Sequence, residues 1–203
     1  MNIKPALSAS ERIAAYEKAT GWSDSLWRHA GSDQILGMWV MGNDYRVKSG
    51  YYGGYPAGYL ARIRAMFPEK ERPLHLFSGR VDLAAFPGRT VDIREELNPD
   101  HLDNAETLEK TPLEWFDLVL ADPPYSAEDA EHYGAAMVNR NKVLRALTRL
   151  RPGAHVAWLD QVLPMYRKDE WGIVGRIGMV KSTNHRFRVV TILERKTGGE
   201  TVA

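Results

Sequence analysis

Apolar positions along this chain fall into short blocks separated by turn residues and by stretches of helical spacing. The block Pro73-Leu74-His75-Leu76-Phe77-Ser78-Gly79 predicts a buried strand running into a glycine turn. Arg89-Thr90-Val91-Asp92-Ile93 predicts a second strand, with an acid near its end. Residues 116–121 are rich in Leu and Val and predict a buried, parallel strand. The next residues are Asp122-Pro123-Pro124-Tyr125-Ser126. Proline cannot donate to a sheet ladder and biases the residue before it away from helix, so the strand must end at Asp122 and a stiff, extended loop must follow. Residues 128–150 read as a helix with Met137, Leu144, Leu147 and Leu150 on one face, ended by Pro152-Gly153. Residues 154–159 are then a further strand, and 171–180 and 187–193 form a closing pair joined around Ser182-Thr183-Asn184-His185.

Upstream, Ser8-Ala9-Ser10-Glu11 has the spacing of a capping box and starts a helix carrying Ile13, Tyr16 and Ala19, with Gly21 as its stop. Ser23-Asp24 caps a second short helix through Leu26 and Trp27. Tyr51-Tyr52-Gly53-Gly54-Tyr55-Pro56 precedes a third, with Leu60, Ile63 and Phe67 at helical spacing and Pro56 in its first turn. The expected organisation is a helical extension over 1–50, one α/β domain over 51–196 and a tail over 197–203.

Composition narrows the chemistry. The 203 residues suffice for one substantial core, and the formal net charge of +1 argues against a strong non-specific nucleic-acid binder while allowing a local basic face. There are no cysteines, and the six histidines are scattered, so no metal site is expected. No apolar run reaches membrane-spanning length and no secretory h-region opens the chain, so no membrane partner is expected and a cytoplasmic protein is.

An acid, fixed carbonyls and a flat ring at the carboxyl end of a parallel strand stand where open α/β sheets bind ligands. Asp122 can accept one N–H of an amine and the Pro123 carbonyl, held by the Pro123-Pro124 unit, the other. Two acceptors of this kind localise the lone pair on the nitrogen and stabilise positive charge developing there. Tyr125 offers a face for a base removed from its stack. Asp92, at a strand end, can accept both hydroxyls of a ribose, or it is an ordinary solvated acid.

Asp122-Pro123-Pro124-Tyr125 resembles the catalytic motif of the S-adenosylmethionine-dependent amino-methyltransferases that act on adenine N6 or cytosine N4. The resemblance spans about residues 50–195. It implies a Rossmann-like methyltransferase fold, with a mostly parallel seven-stranded sheet and a C-terminal antiparallel hairpin, and S-adenosylmethionine as cofactor. It also implies residue roles. Gly53 and Gly54 would touch the cofactor's methionine part, although Tyr55 stands where a basic residue is common. Phe77-Ser78-Gly79 would form the turn beneath the cofactor, with Val81 in place of the second glycine of the pattern. Asp103 and Asn104 would meet the adenine, and Asp122 would lie beside the methyl donor. Tyr125, Ser126, Lys181, His185, Arg186 and Arg188 would face the target. The tyrosine-rich loop could equally be surface packing, the basic residues of 140–151 a solvated helix face, and the charges at 181–188 a guard against edge aggregation.

Asp at position 122 goes, within the resembled family, mostly with adenine in DNA. Only 18 residues separate Asn104 from the catalytic loop, so no target-recognition domain fits there. Sequence specificity would therefore be low, come from the first 50 residues, or be supplied by a partner subunit or second copy. Methylation of a base in RNA, or a catalytically silent cofactor-binding or nucleic-acid-binding subunit, are the alternatives.

Overall fold

The computed structural model describes residues 6–42, 54–125, 137–162, 164–181 and 186–197. Nine strands form one sheet: β1 Leu26–Arg28, β2 Ile35–Met41, β3 Pro73–Leu76, β4 Arg89–Asp92, β5 His101–Leu102, β6 Leu118–Ala121, β7 His155–Asp160, β8 Trp171–Lys181 and β9 Phe187–Arg195. Their spatial order is β1-β2-β8-β9-β7-β6-β3-β4-β5. Neighbours pair in parallel except that β1 runs antiparallel to β2, and β9 antiparallel to both β7 and β8. The result is an α/β fold with a mixed, mostly parallel sheet and a C-terminal antiparallel hairpin.

Every residue of β3, β6 and β7 is buried, because both sheet faces are covered and alternate side chains serve different cores. Leu118 and Leu120 point into one core with Tyr59, Leu60 and Ile63 of α2 (Tyr59–Met66) and Tyr16 of α1 (Ala9–Thr20). Val119 and Ala121 point into the other, against Val143 and Leu144 of α3 (Arg140–Ala146).

The capping box at Ser8 and Glu11 forms, and Gly21 ends α1 in the left-handed region at φ 70°. Four expectations are corrected. Leu26 and Trp27 lie in strand β1, not in a second helix, because the apolar run of β2 offers them an antiparallel partner. The first 50 residues are therefore not purely helical, since β1 and β2 widen the expected seven strands to nine. Pro56 precedes α2 rather than opening it, accepting the Tyr59 N–H on its carbonyl at 2.9 Å. Within the helix expected over 128–150, α3 starts only at Arg140, where the Asn139 side chain caps it; the crossover from Gly79 to Arg89 is a turn over 82–86. Of the longer helix expected over 128–150, residues 128–136 lie outside the described residues.

Candidate functional site

β3 leads outward to β4 and then β5, whereas β6 pairs on the opposite flank of β3. The point where strand order reverses leaves a crevice beyond the carboxyl ends of the strands, the usual ligand position in such sheets. A cleft of about 280 Å³ lies there, between the exits of β3, β4, β5 and β6. Phe77 and Gly79 turn the chain out of β3 with φ of 59° and 52°. For Phe77 the left-handed conformation costs on the order of 1–2 kcal/mol, so the turn is held by its surroundings.

Asp92 supplies part of that hold. Its carboxylate is 7% exposed, accepting the Gly79 N–H at 2.9 Å on one oxygen and the Arg94 N–H at 3.1 Å on the other. Arg94 Nε also reaches it at 3.3 Å. The β3 and β4 exits are thereby tied to one acid. Asp103 does the same for the β5 exit: one oxygen accepts the Asn104 N–H and the other the Lys110 N–H and the Thr111 hydroxyl, all at 2.8 Å. Glu106 then stitches this loop to α3, accepting the Asn139 N–H at 2.7 Å and pairing with Lys142 at 3.1 Å. Those two contacts, the Asn139 amide first, hold its carboxyl below the ordinary range.

Asp122 leaves β6 as the resembled motif requires. The Tyr125 hydroxyl donates a hydrogen bond to its carboxylate. Burial, reinforced by the Asp122 charge, raises the Tyr125 phenol well above its ordinary value, against the opposing pull of Arg188. The phenol therefore stays protonated and remains a donor. The Arg188 guanidinium lies 4.4 Å from the Tyr125 ring centroid. On the inner side, Tyr55, partly buried, and Tyr59, fully buried, stack at 5.2 Å, and both phenols are raised by burial first and the Asp122 charge second. The Tyr55 hydroxyl reaches the Leu120 carbonyl at 3.4 Å. A tyrosine in place of a basic residue thus buttresses the strand that carries Asp122.

Of the residues singled out by sequence, Gly54, Phe77, Gly79, Asp92, Asp103, Asn104, Asp122, Pro123, Pro124, Tyr125 and Arg188 all border this one cleft. Ser78 is buried and does not border it; its N–H goes to the Val91 carbonyl at 3.0 Å. Lys181 and Arg186, at the facing ends of β8 and β9, do not border it either. Gly53, Ser126 and His185 lie outside the described residues. The cleft also includes residues the pattern did not single out, among them Ile93, Arg94, Glu106, Met137 and Val138. Arg94 was within reach, two positions beyond a strand-end acid. Met137 was hidden by its helical spacing and lies before α3. Among the described residues no cluster of metal-ligating side chains occurs, and no helix is long and apolar enough to cross a membrane.

No family model and no curated protein matches this chain. Among solved structures it is similar to a candidate methyltransferase from Streptococcus mutans in complex with SAH. The TM-score is 0.42 and the identity 14%, over 61% of this chain and 85% of that one. At that score the likeness bears on neither chemistry nor mechanism, which rest on the cleft itself.

Proposed function

We propose that this chain is an S-adenosylmethionine-dependent methyltransferase whose target is an exocyclic amino group of a nucleic-acid base, adenine N6 in DNA first. The observation that carries the reading is the convergence of Asp122-Pro123-Pro124-Tyr125 with Gly54, Gly79, Asp92 and Asn104 on one cleft at the switch point of the sheet.

The cleft's chemistry fits such a cofactor. Four carboxylates, Asp92, Asp103, Glu106 and Asp122, border it against two arginines, Arg94 and Arg188, an excess that suits a ligand with a sulfonium and an ammonium. A carboxylate offers about four acceptor positions, so Asp92, which already holds three donors, retains room for about one ribose hydroxyl. Gly79 lets backbone approach closely at the β3 exit, and Gly54 brings backbone to the same cleft. S-adenosylmethionine, when bound, supplies a methyl group already activated by positive sulfur.

The protein's part is to localise and aim the accepting nitrogen. Asp122 accepts one N–H and the Pro123 carbonyl the other, which favours a tetrahedral nitrogen and stabilises its charge as the bond forms. The Tyr125 hydroxyl, a donor to Asp122, keeps that carboxylate from rotating away. Its ring stacks the base, with Arg188 on the ring adding a cation–π contact. Much of the remaining acceleration comes from holding both partners in line.

A second reading, a catalytically silent cofactor-binding subunit, draws support from Val81 in place of the second glycine and from Asp92 and Asp103, each of which already holds three donors. Incubation of the pure protein with methyl-labelled S-adenosylmethionine and duplex DNA, single-stranded DNA or structured RNA separates the cases. Label on N6-methyladenine in DNA is expected. Label in RNA alone moves the target, and binding of S-adenosylhomocysteine without transfer to any of them favours the silent subunit.

A further inference from the structure

Away from the cleft, α1 and α2 border a second and larger hollow, of about 810 Å³. Much of its lining is small: Ala15 and Ala19 from α1, Ala57 just before α2, and Ala61 and Ala65 within it. Trp22, Arg62 and Arg64 border the same hollow.

Arg62 is the informative member. It is 5% exposed, its guanidinium lies 3.4 Å from the Trp22 ring centroid and 5.4 Å from that of Trp39, and Nη1 donates to the Tyr16 hydroxyl at 2.8 Å. Among the described residues no carboxylate pairs with it. Taking a cation out of water costs several kcal/mol, so buried arginines ordinarily have an ionic partner. Arg64, one helical step away and exposed, reaches the Ala85 carbonyl at 3.4 Å and has no carboxylate partner among the described residues either. No Asp or Glu occurs among the described residues bordering the hollow. Residues 1–70 hold nine Lys and Arg against six Asp and Glu, so the positive excess of the chain resides here and the remainder is net acidic. Trp22 stays half exposed although Arg62 caps its ring.

We propose that this hollow holds an unpaired segment of a nucleic-acid strand, with phosphates on Arg62 and Arg64 and one base stacked on Trp22. The guanidinium fork matches a phosphate, an indole gives any base a platform, and alanines let a sugar–phosphate chain come close. A helix from a partner protein would fill the alanine-lined floor but leave both arginines without counter-charge. The hollow also adjoins the cleft: Gly54 borders the cleft and Gly58 the hollow, at most about 14 Å apart along the chain. A strand held here is delivered to Asp122 without a separate recognition domain. The inference extends the methyl-transfer reading of the cleft, and its test is separable from that reading.

The test titrates fluorescein-labelled single-stranded DNA and RNA oligonucleotides into the full-length protein by anisotropy, at several salt concentrations. Trp22→Ala, Arg64→Gln and Arg64→Lys are compared with the parent, with thermal melts to check folding and S-adenosylhomocysteine titrations to check the cleft. Trp22→Ala weakens oligonucleotide binding about ten-fold, the size of one lost stacking contact. Arg64→Gln lowers the slope of log K against log salt by about 0.7 and Arg64→Lys restores it, while S-adenosylhomocysteine affinity stays unchanged. Oligonucleotide binding that is absent in the parent, or equal in parent and folded variants, overturns the proposal. So does a parent dimer that these substitutions dissociate with no change in oligonucleotide affinity, which would assign the hollow to a second copy. Groove-dependent binding without any methyl transfer would end the reading of the cleft and leave this one standing; transfer indifferent to the variants would do the reverse.

Discussion

The cleft and the helical hollow solve opposite electrostatic problems with different parts of the fold. The cleft is built from strand exits, where backbone N–H groups are free of the ladder and point at side chains. Its acids are therefore compensated by the chain itself: Asp92 by the Gly79 and Arg94 amides, Asp103 by those of Asn104 and Lys110. The hollow is built from helices, whose backbone donors are consumed internally. Its buried arginine, Arg62, is steadied by aromatic faces and a phenol, which fix the guanidinium without neutralising it. A carboxylate wrapped in amides makes a preformed site, whereas a cation resting on tryptophan is still owed an anion. That contrast is why the two regions are assigned different ligands.

It can be broken most forcefully where the cleft meets α3. Asp160, fully buried at the end of β7, pairs with Arg140 Nε at 2.6 Å and with Nη2 at 3.1 Å, and accepts the Trp158 indole N–H at 3.1 Å. Removing Asp160 leaves the partly exposed Arg140 guanidinium and the buried Trp158 indole N–H without their acceptor, so Asp160→Ala should lower unfolding stability by about 3 kcal/mol in urea melts. A loss below about 1 kcal/mol would mean that this pair does not anchor α3 to β7. Asp122→Ala should cut the rate of methyl transfer about 10²–10³-fold, the usual cost of one charge-stabilising group, with S-adenosylhomocysteine affinity within two-fold of the parent. Equal losses in both would place Asp122 in cofactor binding instead.

Acid tests the core that the two regions share. Burial lowers His75 from 6.5 to about 4, despite the opposing contact of its Nε2 with the Phe86 carbonyl at 3.0 Å. His155 is lowered well below its ordinary value by burial and then by Lys70 and Arg12. Both stay neutral in the fold while the unfolded chain takes up protons, so stability is whole above pH 6.5 and falls as pH drops from 6.5 towards 4. His75 alone accounts for about 3 kcal/mol of that fall, and His75→Gln should flatten it. A parent chain equally stable at pH 7 and pH 4.5 would contradict this. The smallest effect is expected at Asp92. Asp92→Asn keeps the Gly79 contact but loses charge, and should weaken S-adenosylhomocysteine about ten-fold by calorimetry while transfer at saturating cofactor changes little.

Much of the cleft was legible because its signals are local. A diproline must stop a strand wherever it occurs, and Leu-Val alternation before it must bury both faces, so the placement of Asp122 did not depend on distant residues. Asp92 and Asn104 were readable as strand-end acid and amide for the same reason. Trp27 was not. Its spacing suits a short helix, and only the arrival of β2 beside it makes a strand. Met137 failed in the same way, since its helical phase with Leu144 is real while the helix begins after it. Arg62 drew no reading from the sequence, because nothing local signals that Trp22 and Trp39 close over it.

What the order of residues decided alone was the buried strands β3, β4, β6 and β7, the strand exit at Asp122 and the acids beside it, because these follow from short-range sterics and a period of two. Only the tertiary structure decided that β3 and β6 lie side by side at the point where strand order reverses and, among the described residues, that nine strands share one sheet and that Arg62 is buried without a carboxylate partner. Those are facts about which distant segments meet. Pairing across tens of residues is settled by burial of whole faces, a quantity no local stretch contains.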